Sequence, residues 1–474
     1  MNRALLSLLV PVVVLGCLVV ADSSRAADAT DAPRPTPVTR PAMKRLLEEM
    51  KRRPERIPLP EISAAERAAA GDDAQALSYE NRLRALYLPG TELRGYLGFG
   101  GTAPQRPGAP PPRVVIEPDP ALSLDYGFKT RLFWIASRAN NCQYCLGHQE
   151  SKLLAVGMTD DDLARLDADW SAFPQREQAA FALARRLSLA PGSVSDADVE
   201  RCLAHFTPQQ VLEMAISVAG NNAINRWKEG IGVPQASGGG NSGWSLARPD
   251  GSHSYLTSTA PAFAAVPSAV AVLGGLAGGE GLVATALPAA PAGADEIRAG
   301  VAAVRSRSPR LPLVDDAEGR RVLGAVAPSG PLPGWMRLLA WFPVAGPRMV
   351  RAFVLTETAP GIEPVDRALV RWTVARRNRA WYALGIAERD LRAAGFDDAA
   401  LADLAGEQTR LSSARRAVLA VADALAASPV ACTDAQFAAA LAATSPAMMT
   451  RVVHEVAMES LFDRFTEAAG LPAD

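Results

Sequence analysis

Cys142, Cys145 and His148 stand three residues apart within one short run of the sequence, residues 140–150. In a helix, this spacing places side chains at neighbouring positions on one face. Two thiols so placed can close into a disulfide or hold one metal ion, and the histidine can exchange a proton with the nearer sulfur. Because the thiolate is the nucleophile, reactivity requires surroundings that lower a cysteine pKa from its free value of about 8.5. The run therefore indicates thiol redox chemistry.

Helices must position these residues, since apolar side chains recur at helical spacing through most of residues 125–233. The predicted helices are one that begins at Met43 and the segments 129–139, 145–156, 176–187, 196–205 and 209–228. Ser195 and Thr207 place a hydroxyl at the N-caps of the last two, and Gly157 follows the end of 145–156.

Asn140 and Asn141 form a capping pair directly before Cys142. They would place Cys142 in the first turn of a helix, where free backbone N–H groups favour a negative sulfur. His148 can then act as a proton acceptor or, as an imidazolium, stabilise the thiolate.

The same segment occurs a second time, 238 positions later, with Ala380, Ala383 and Ile386 in place of the two cysteines and the histidine. A constant offset over about 100 residues, with roughly a quarter of positions identical, indicates an internal duplication. One copy keeps the reactive groups and the other keeps only the scaffold. The identical pairs include Trp134/Trp372, Asn140/Asn378, Tyr144/Tyr382, Gly147/Gly385, Asp196/Asp434, Pro208/Pro446 and Arg226/Arg464. Upstream, the run that begins at Arg56 is echoed by the run that begins at Arg310, at an offset of 254.

A chain of 474 residues is too long for one ordinary core. Abundant alanine and scarce aromatic residues favour helices over sheets. We predict an all-α protein with two homologous helical lobes joined by a long Ala/Gly/Pro-rich linker. The predicted segments are a signal peptide (1–26), a flexible leader (27–42), a first lobe with the CxxC pair (43–236), the linker (237–292) and a second lobe without the reactive residues (293–474).

The first residues have the pattern of a secretory signal peptide. Arg3 supplies a positive charge, an almost unbroken apolar stretch runs to Ala21, and Ser24 and Ala26 are small residues suited to cleavage. The alternatives are an uncleaved anchor helix and a lipoprotein-type site at Cys17, although the apolar run continues past Cys17. We expect an exported protein, periplasmic or secreted, whose oxidising compartment would tend to keep the CxxC pair as a disulfide.

Charge and cysteine usage narrow the function classes. The net charge of −1 provides no basic field, so we expect no nucleic-acid partner. The four cysteines beyond the predicted signal peptide are too few and too unevenly placed for a disulfide-stapled scaffold. This favours a functional CxxC pair over an architectural one.

The run 140–148, together with residues 221–226 and 232–234, resembles the carboxymuconolactone decarboxylase / alkyl hydroperoxidase D-like family. The resemblance covers about 110 residues in each copy. It implies helical domains that carry CxxC followed by a histidine, reduce peroxides through those cysteines and form trimers or hexamers. It also implies that Cys145 is the peroxidatic cysteine and that Cys142 is the resolving one.

Two features depart from the family's pattern. His148 stands three residues after the second cysteine, whereas the family's histidine usually stands four residues after it; both spacings permit proton exchange. The peroxidase members also use a glutamate about three helical turns before the first cysteine, and that region contains no acid here. The candidate proton relays are then Asp125 upstream and Glu150 downstream.

Other interpretations of these residues stay open. The CxxC pair could be unreactive core residues or a closed structural disulfide. A zinc site is a more specific alternative. Cys202 and His205 form a C-x2-H pair, which together with the CxxC pair would supply four ligands. Asn222, Asn225 and Arg226 are candidates for a second layer around the substrate, although such clusters are more often polar networks that pack helices.

We predict a thiol-based peroxidase or disulfide oxidoreductase that uses neither a metal nor another cofactor. Its partners would be a small hydroperoxide or disulfide substrate and a thiol reductant. We expect a homo-oligomer, or a pseudo-symmetric internal dimer in which the second copy replaces a subunit and stabilises the first. The alternatives are a non-catalytic interaction or scaffold protein of the same fold and, more weakly, a lactone decarboxylase, which needs no cysteine.

Overall fold

The computed structural model of the protein describes residues 32–71, 76–89, 99, 117–235, 282–283, 285 and 289–473. The predicted signal peptide and most of the predicted linker lie outside these residues. The all-α prediction is confirmed, since the described part contains nineteen α-helices and a single pair of two-residue strands. None of the helices within the described ranges has the length and apolar character that a membrane span requires.

Nine helices belong to the first half of the chain. They are α1 (Arg40–Glu49), α2 (Ala64–Ala70), α3 (Tyr79–Tyr87), α4 (Tyr126–Ala139), α5 (Gln143–Ala155), α6 (Asp160–Ala168), α7 (Gln175–Leu189), α8 (Asp196–Leu203) and α9 (Pro208–Ile231). The five helices predicted between residues 125 and 233 are all present, with ends shifted by up to three residues.

Ten further helices follow in the second half. They are α10 (Ala294–Val304), α11 (Asp316–Leu323), α12 (Gly334–Leu339), α13 (Ala345–Thr358), α14 (Pro364–Asn378), α15 (Trp381–Ala393), α16 (Asp398–Ala405), α17 (Ser413–Ala426), α18 (Asp434–Ala443) and α19 (Pro446–Ala469). Helices α4, α5 and α9 thus have their counterparts in α14, α15 and α19, as the repeat predicts.

Local sequence signals determine several helix ends. Ser195 and Thr207 both form the predicted N-caps as full capping boxes, and Pro208 occupies the first turn of α9. Gly157 follows α5 with a φ of 94°, a left-handed conformation that favours a residue without Cβ. Helices α9 and α19 end in the same way, at Gly232 and Gly470.

Helices α9 and α19, each 24 residues long, form the most extensive helix–helix contact in the described structure. Each of these helices also donates a hydrogen bond to another helix of the opposite half, and the two bonds are related by the repeat. Arg226 donates to the main-chain oxygen of Ala426 at 3.0 Å, and Arg464 donates to that of Ser188 at 3.1 Å. Each half therefore meets the other through equivalent residues, as in a two-fold symmetric interface.

The repeated runs that begin at Arg56 and Arg310 also make equivalent contacts. Arg56 forms an ion pair with Asp434 at 2.6 Å, and its equivalent Arg310 forms one with Asp196 at 2.6 Å. The backbone N–H groups of the same two arginines donate to the last turns of α9 and α19. One continuous cluster of buried apolar residues contains members of both halves. The helices therefore pack as one body, and the division into two lobes stays a prediction of the repeat.

The strands lie where the sequence suggested flexible chain. Thr36–Pro37 (β1) pairs antiparallel with Leu282–Val283 (β2), so part of the predicted leader is bound to part of the predicted linker. Helix α1 begins at Arg40 rather than near Met43. Val38 and Ala42, which belong to the predicted leader, are completely buried.

The close contact of α9 with α19 predicts that position 230 tolerates no side chain larger than that of glycine. A Cβ atom at Gly230 would lie 2.5 Å from Cγ1 of Val453 on α19, a stiff side chain with no exposed surface. We expect Gly230→Ala to lower the free energy of unfolding, measured in urea, by about 1–3 kcal/mol. Gly385→Ala is the matched control, because its Cβ would meet only an ordinary contact at 3.6 Å. Gly385→Ala should raise the free energy of unfolding by up to about 1 kcal/mol, because alanine favours a helix more than glycine does. Equal effects of the two substitutions would contradict the close contact at Gly230.

Candidate active site

The turn between α4 and α5 places the CxxC pair. Asn140 ends α4, Asn141 adopts a left-handed conformation with a φ of 55°, and Cys142 is the N-cap of α5. The expected cap at Asn140 and Asn141 is therefore wrong by one position, because Asn140 is still part of the end of α4. Cys145 lies in the first turn of α5, where free N–H groups favour a negative sulfur.

Asn140 is the centre of the polar network that holds this turn. Its amide donates to Asn222 at 2.7 Å and to Asn225 at 2.8 Å, both on α9. Arg226 in turn donates to the side chain of Asn222 at 3.0 Å. All four side chains are completely buried. The three α9 residues thus hold the turn in position from behind, and the structure shows them packing helices.

The second half of the chain also binds the turn. The hydroxyl of Ser428 donates to the side-chain oxygen of Asn140 at 2.8 Å, and the backbone N–H of Val430 donates to its main-chain oxygen at 3.2 Å. Arg226 bridges to the same segment, since it donates to Ser428 at 2.7 Å. The copy without the CxxC pair therefore helps to fix the copy that has it.

Both cysteines of the pair are free thiols and are buried, with exposed fractions of 0% for Cys142 and 3% for Cys145. Burial raises the pKa of Cys142 well above its ordinary value, and a hydrogen bond with Cys145 and the negative charge of Glu229 raise it further. Cys142 therefore carries its proton at neutral pH. The two sulfurs are close enough to interact directly, which a disulfide-forming pair requires.

Glu229, on α9, is an acid beside the pair that sequence analysis missed. Burial raises the pKa of its carboxyl, but Arg53, Arg34 and Arg56 outweigh this, and a hydrogen bond from the Cys142 thiol also lowers it. Arg53 donates to the carboxylate at 2.9 Å and Arg34 at 3.2 Å. The carboxylate is therefore ionised, and it is the group best placed to accept a proton from Cys142.

The repeat shows that Glu229 also has a structural role. Glu467 is its equivalent on α19 and accepts from Arg307, the equivalent of Arg53, at 2.8 Å. Position 380, opposite Glu467, holds alanine instead of cysteine. The Glu–Arg pair thus persists without a thiol, and the contact with Cys142 is what distinguishes the first half. The identity of Glu229 and Glu467 at the repeat offset was the sequence signal that could have revealed it.

His148 is a neutral ring in this structure. Burial lowers its pKa to about 3, and the positive charges of Lys228 and Lys152 contribute to the shift. The imidazole packs against Tyr144, with ring centroids 4.5 Å apart. Of the two roles expected for His148, these surroundings disfavour the imidazolium that would stabilise a thiolate. The same surroundings favour a neutral imidazole that forms hydrogen bonds.

Positive charge near Cys145 comes from Lys152 instead, while Lys228 lies against Tyr144. Lys152 interacts electrostatically with Cys145, and burial lowers the pKa of this lysine. Lys228 lies over the ring of Tyr144, with its ammonium nitrogen 4.6 Å from the centroid. Glu80 forms an ion pair with Lys228, whose charge holds the pKa of Glu80 at about 2 although burial opposes this.

The two proposed proton relays lie elsewhere. Asp125 is the N-cap of α4 and accepts from the backbone N–H of Phe128 at 2.8 Å. It stands about 20 Å from the cysteine end of that helix, given a rise of about 1.5 Å per residue. Glu150 is completely buried and accepts from the indole N–H of Trp134 at 3.3 Å. The structure brings neither carboxylate to the pair in the way that it brings Glu229.

The zinc alternative has no geometric support in the described residues, where no three histidine, cysteine or acidic side chains converge as metal ligands would. Cys202 is buried in α8, and burial raises the pKa of its thiol to about 12.

No protein-family model matches the chain, and no curated protein matches it either. The resemblance to the hydroperoxidase D-like family therefore stays an expectation from the sequence.

Glu229→Gln and Glu467→Gln form a matched pair of variants. Each weakens the contact of a buried carboxylate with an arginine, so we expect both to lower the free energy of unfolding by about 1–3 kcal/mol. Only Glu229→Gln should lower the pKa of Cys142, because only Glu229 faces a thiol. The pH dependence of Cys142 alkylation, followed by peptide mass spectrometry, measures this. A shift in both variants, or in neither, would show that Glu229 does not act on Cys142.

The neutral state of His148 predicts that its ring does not titrate between pH 5 and 8 in the folded protein. In the unfolded chain the ring should titrate near pH 6.5. Since only the unfolded chain then takes up the proton, stability due to this group falls by about 1.4 kcal/mol per pH unit from pH 6.5 downward. NMR of the ring protons is practical because the chain has four histidines, and His148→Gln assigns the signal. A midpoint near 6.5 in the folded protein would contradict the burial argument.

Proposed function

We propose that this protein is a thiol-based oxidoreductase of the hydroperoxidase D-like type, which reduces a small hydroperoxide or disulfide at Cys142 and Cys145. The observation that carries the proposal is the pair of adjacent thiols at the start of α5, one of them beside the ionised carboxylate of Glu229.

The two sulfurs have unequal surroundings, and this assigns their roles. Cys145 has positive charge from Lys152 nearby and lies in the first turn of a helix, so it is the nucleophile. Cys142 holds its proton until the second step, since burial and Glu229 both raise its pKa. These roles agree with those implied by the family resemblance.

For a hydroperoxide, the Cys145 thiolate attacks the terminal peroxide oxygen and the O–O bond breaks. The leaving alkoxide takes a proton and departs as an alcohol, which leaves Cys145 as a sulfenic acid. Cys142 then gives its proton to Glu229 and its sulfur attacks Cys145. The S–O bond of the sulfenic acid breaks, and the hydroxide takes the proton from Glu229 and leaves as water. The products are one disulfide, one alcohol and one water, and two electrons have passed from the thiols to the peroxide. A separate dithiol must reduce the disulfide to complete the cycle.

Neutral His148 packs against the ring of Tyr144 on α5. A neutral imidazole can donate one hydrogen bond and accept another. We assign it to orienting the peroxide or the leaving oxygen, while Lys228 and Lys152 supply the positive charge. Export, as the N-terminal pattern suggests, would require the reducing dithiol to be exported too.

The second half of the chain acts as a built-in partner in this proposal. Ser428 and Val430 fix the turn that carries Cys142, and they reach it from the copy that lacks the CxxC pair. An internal duplicate can thus replace the neighbouring subunit of an oligomer. A non-catalytic scaffold would have no use for the contact between Glu229 and a thiol, which is why we favour the enzyme.

We expect Cys145 to react with tert-butyl hydroperoxide before Cys142 does. In a single turnover near pH 7, the Cys142→Ser variant should accumulate a sulfenic acid at Cys145, trapped by dimedone and located by mass spectrometry. Cys145→Ser should lose peroxide consumption altogether. Cys202→Ser is the control and should behave as the unmodified protein, because Cys202 is buried in α8. Slow and equal modification of Cys142 and Cys145 would refute the peroxidase assignment.

A further inference from the structure

The second half of the chain contains a cavity of about 290 Å³ at the position that corresponds to the thiol site. Ala383 and Ile386, the counterparts of Cys145 and His148, line it from α15. This volume is close to the lower limit for small-molecule sites. The copy without the CxxC pair therefore has a site-sized space at the same place.

Two substitutions between the copies place a carboxyl group in the wall of this cavity. In the first half, the side-chain amides of Gln149 and Asn221 are hydrogen-bonded at 2.8 Å, and both residues are buried. The second half has Ala387 and Glu459 at these positions, and both line the cavity. The amide that would cover position 459 is thus replaced by a methyl group, and the carboxyl group borders the space that results.

The carboxyl group of Glu459 is buried without a close partner. Only 9% of its side chain is exposed, and the nearest guanidinium group, that of Arg371, lies 3.9 Å away. The residues that the structure describes form no hydrogen bond with it. Burial and then the negative charge of Asp463 raise the pKa of this carboxyl group well above its ordinary value. An acidic group in such surroundings is unfavourable unless a cation or a hydrogen-bond donor compensates it.

Arg371 provides little of that compensation, because other acids share it. It forms an ion pair with Glu357 and lies 3.6 Å from the buried carboxylate of Glu455. Glu455 also accepts a hydrogen bond from Arg367 at 3.1 Å. The charge of Arg371 is therefore divided among three acids, and Glu459 is the most distant of them.

Arg389, the other cation in the lining, does not compensate Glu459 either. Its side chain is 69% exposed, so solvent screens its charge. Its ion-pair contact is with Asp390, at 3.7 Å. Glu459 is thus the buried charged group in this lining that lacks a counter-ion of its own.

Three aromatic rings form the apolar part of the wall. Trp335, Phe353 and Phe462 line the cavity and contact one another edge to face, with centroids 5.4–5.6 Å apart and ring planes at 76–78°. Rings held in this way present a preformed apolar surface, and the face of an aromatic ring attracts cations. An organic cation would therefore meet a hydrocarbon surface and an uncompensated carboxyl group in one space.

We propose that this cavity binds a small arylalkylamine as its ammonium ion, with the ring of the ligand against Trp335, Phe353 and Phe462 and its ammonium group at Glu459. The ammonium group supplies both the counter-ion and the hydrogen-bond donors that Glu459 lacks. A carboxylate ligand would be repelled by Glu459 and would find only guanidinium groups that are already paired or exposed. An uncharged ligand would leave Glu459 without a counter-ion. The site uses no residue of the thiol pair and does not depend on thiol chemistry.

Three probes with the same ring and different end groups test the charge preference on the full chain: 2-phenylethylamine, 2-phenylethanol and phenylacetate. In isothermal titration calorimetry at pH 7, we expect the amine to bind with a dissociation constant below about 1 mM and at least tenfold more tightly than the other two. Equal or tighter binding of the alcohol or the carboxylate, or no binding of any probe, would overturn the proposal.

Glu459→Gln removes the charge and keeps the size of the side chain. We expect it to weaken binding of 2-phenylethylamine at least tenfold and to leave binding of 2-phenylethanol unchanged. The midpoint of unfolding in urea should stay the same or rise, because the amide has no charge to desolvate. Glu467→Gln is the control, since Glu467 is a buried acid on the same helix that pairs with Arg307 outside the cavity lining. It should keep the affinity for the amine.

Unchanged amine affinity in Glu459→Gln would refute the site, and a lowered unfolding midpoint would show that Glu459 has a structural role instead. The double substitution Ala387→Gln with Glu459→Asn locates the binding. It installs the amide pair that closes the equivalent place in the first half, so binding of the amine should be lost. Circular dichroism confirms that the double variant keeps its helices. Persistent binding in this folded variant would place the amine elsewhere and contradict the proposal.

Discussion

The burial of two arginines between α9 and α19 is the constraint on which the rest of the structure depends. Arg226 and Arg464 are completely buried, and burial lowers the pKa of both guanidinium groups. A guanidinium group in the interior must have hydrogen-bond acceptors, because its desolvation is otherwise prohibitive. Each arginine finds acceptors in the other copy, at the main-chain oxygens of Ala426 and Ser188. Neither copy can satisfy its central arginine alone, so the two must fold together.

A few hydrogen bonds connect the buried arginines to the thiol site. Arg226 contacts Ser428 on one side and Asn222 on the other, and both of these hold Asn140. Asn140 ends the helix from which the chain turns directly into Cys142. A shift of the second copy would therefore move the start of α5. The position of the cysteines is a property of the whole duplicated chain and not of one bundle.

The distribution of protons at the site is determined by residues that are remote in sequence. Local spacing suggested that His148 exchanges protons with Cys145, but burial and two lysines keep the imidazole neutral. The ionised acid is Glu229, whose charge is maintained by arginines from the first 56 residues of the chain. Without those arginines a buried carboxyl would take up a proton and could no longer accept one from Cys142. The N-terminal segment thus contributes to the chemistry although it carries no reactive group.

Local patterns in the sequence were sufficient for the helices and insufficient for the site. The helical periods, the caps at Ser195 and Thr207 and the end at Gly157 depend on neighbours within a few residues, and the structure has them as predicted. The contact of Glu229 with Cys142 joins positions 87 residues apart, and periodicity carries no information about such a distance. The N-cap was misassigned because Asn140 and Asn141 both suit a cap, and only the tertiary bonds of Asn140 assign it to α4.

Duplication explains how one fold can hold two different sites. Once the copies are bound to each other, each scaffold is stabilised by the pair, and the residues around positions 145 and 383 can change separately. The first copy keeps Gln149 and Asn221 as a closed amide pair behind its thiols. The second has exchanged these for Ala387 and Glu459, and an acid buried in this way costs stability unless it is protonated or bound. Retention of a buried carboxyl beside an open space is difficult to explain by packing, since an apolar residue would pack there at lower cost. Because the scaffold residues Trp372, Asn378 and Arg464 are retained at the same time, the second copy has changed its site while it kept its fold.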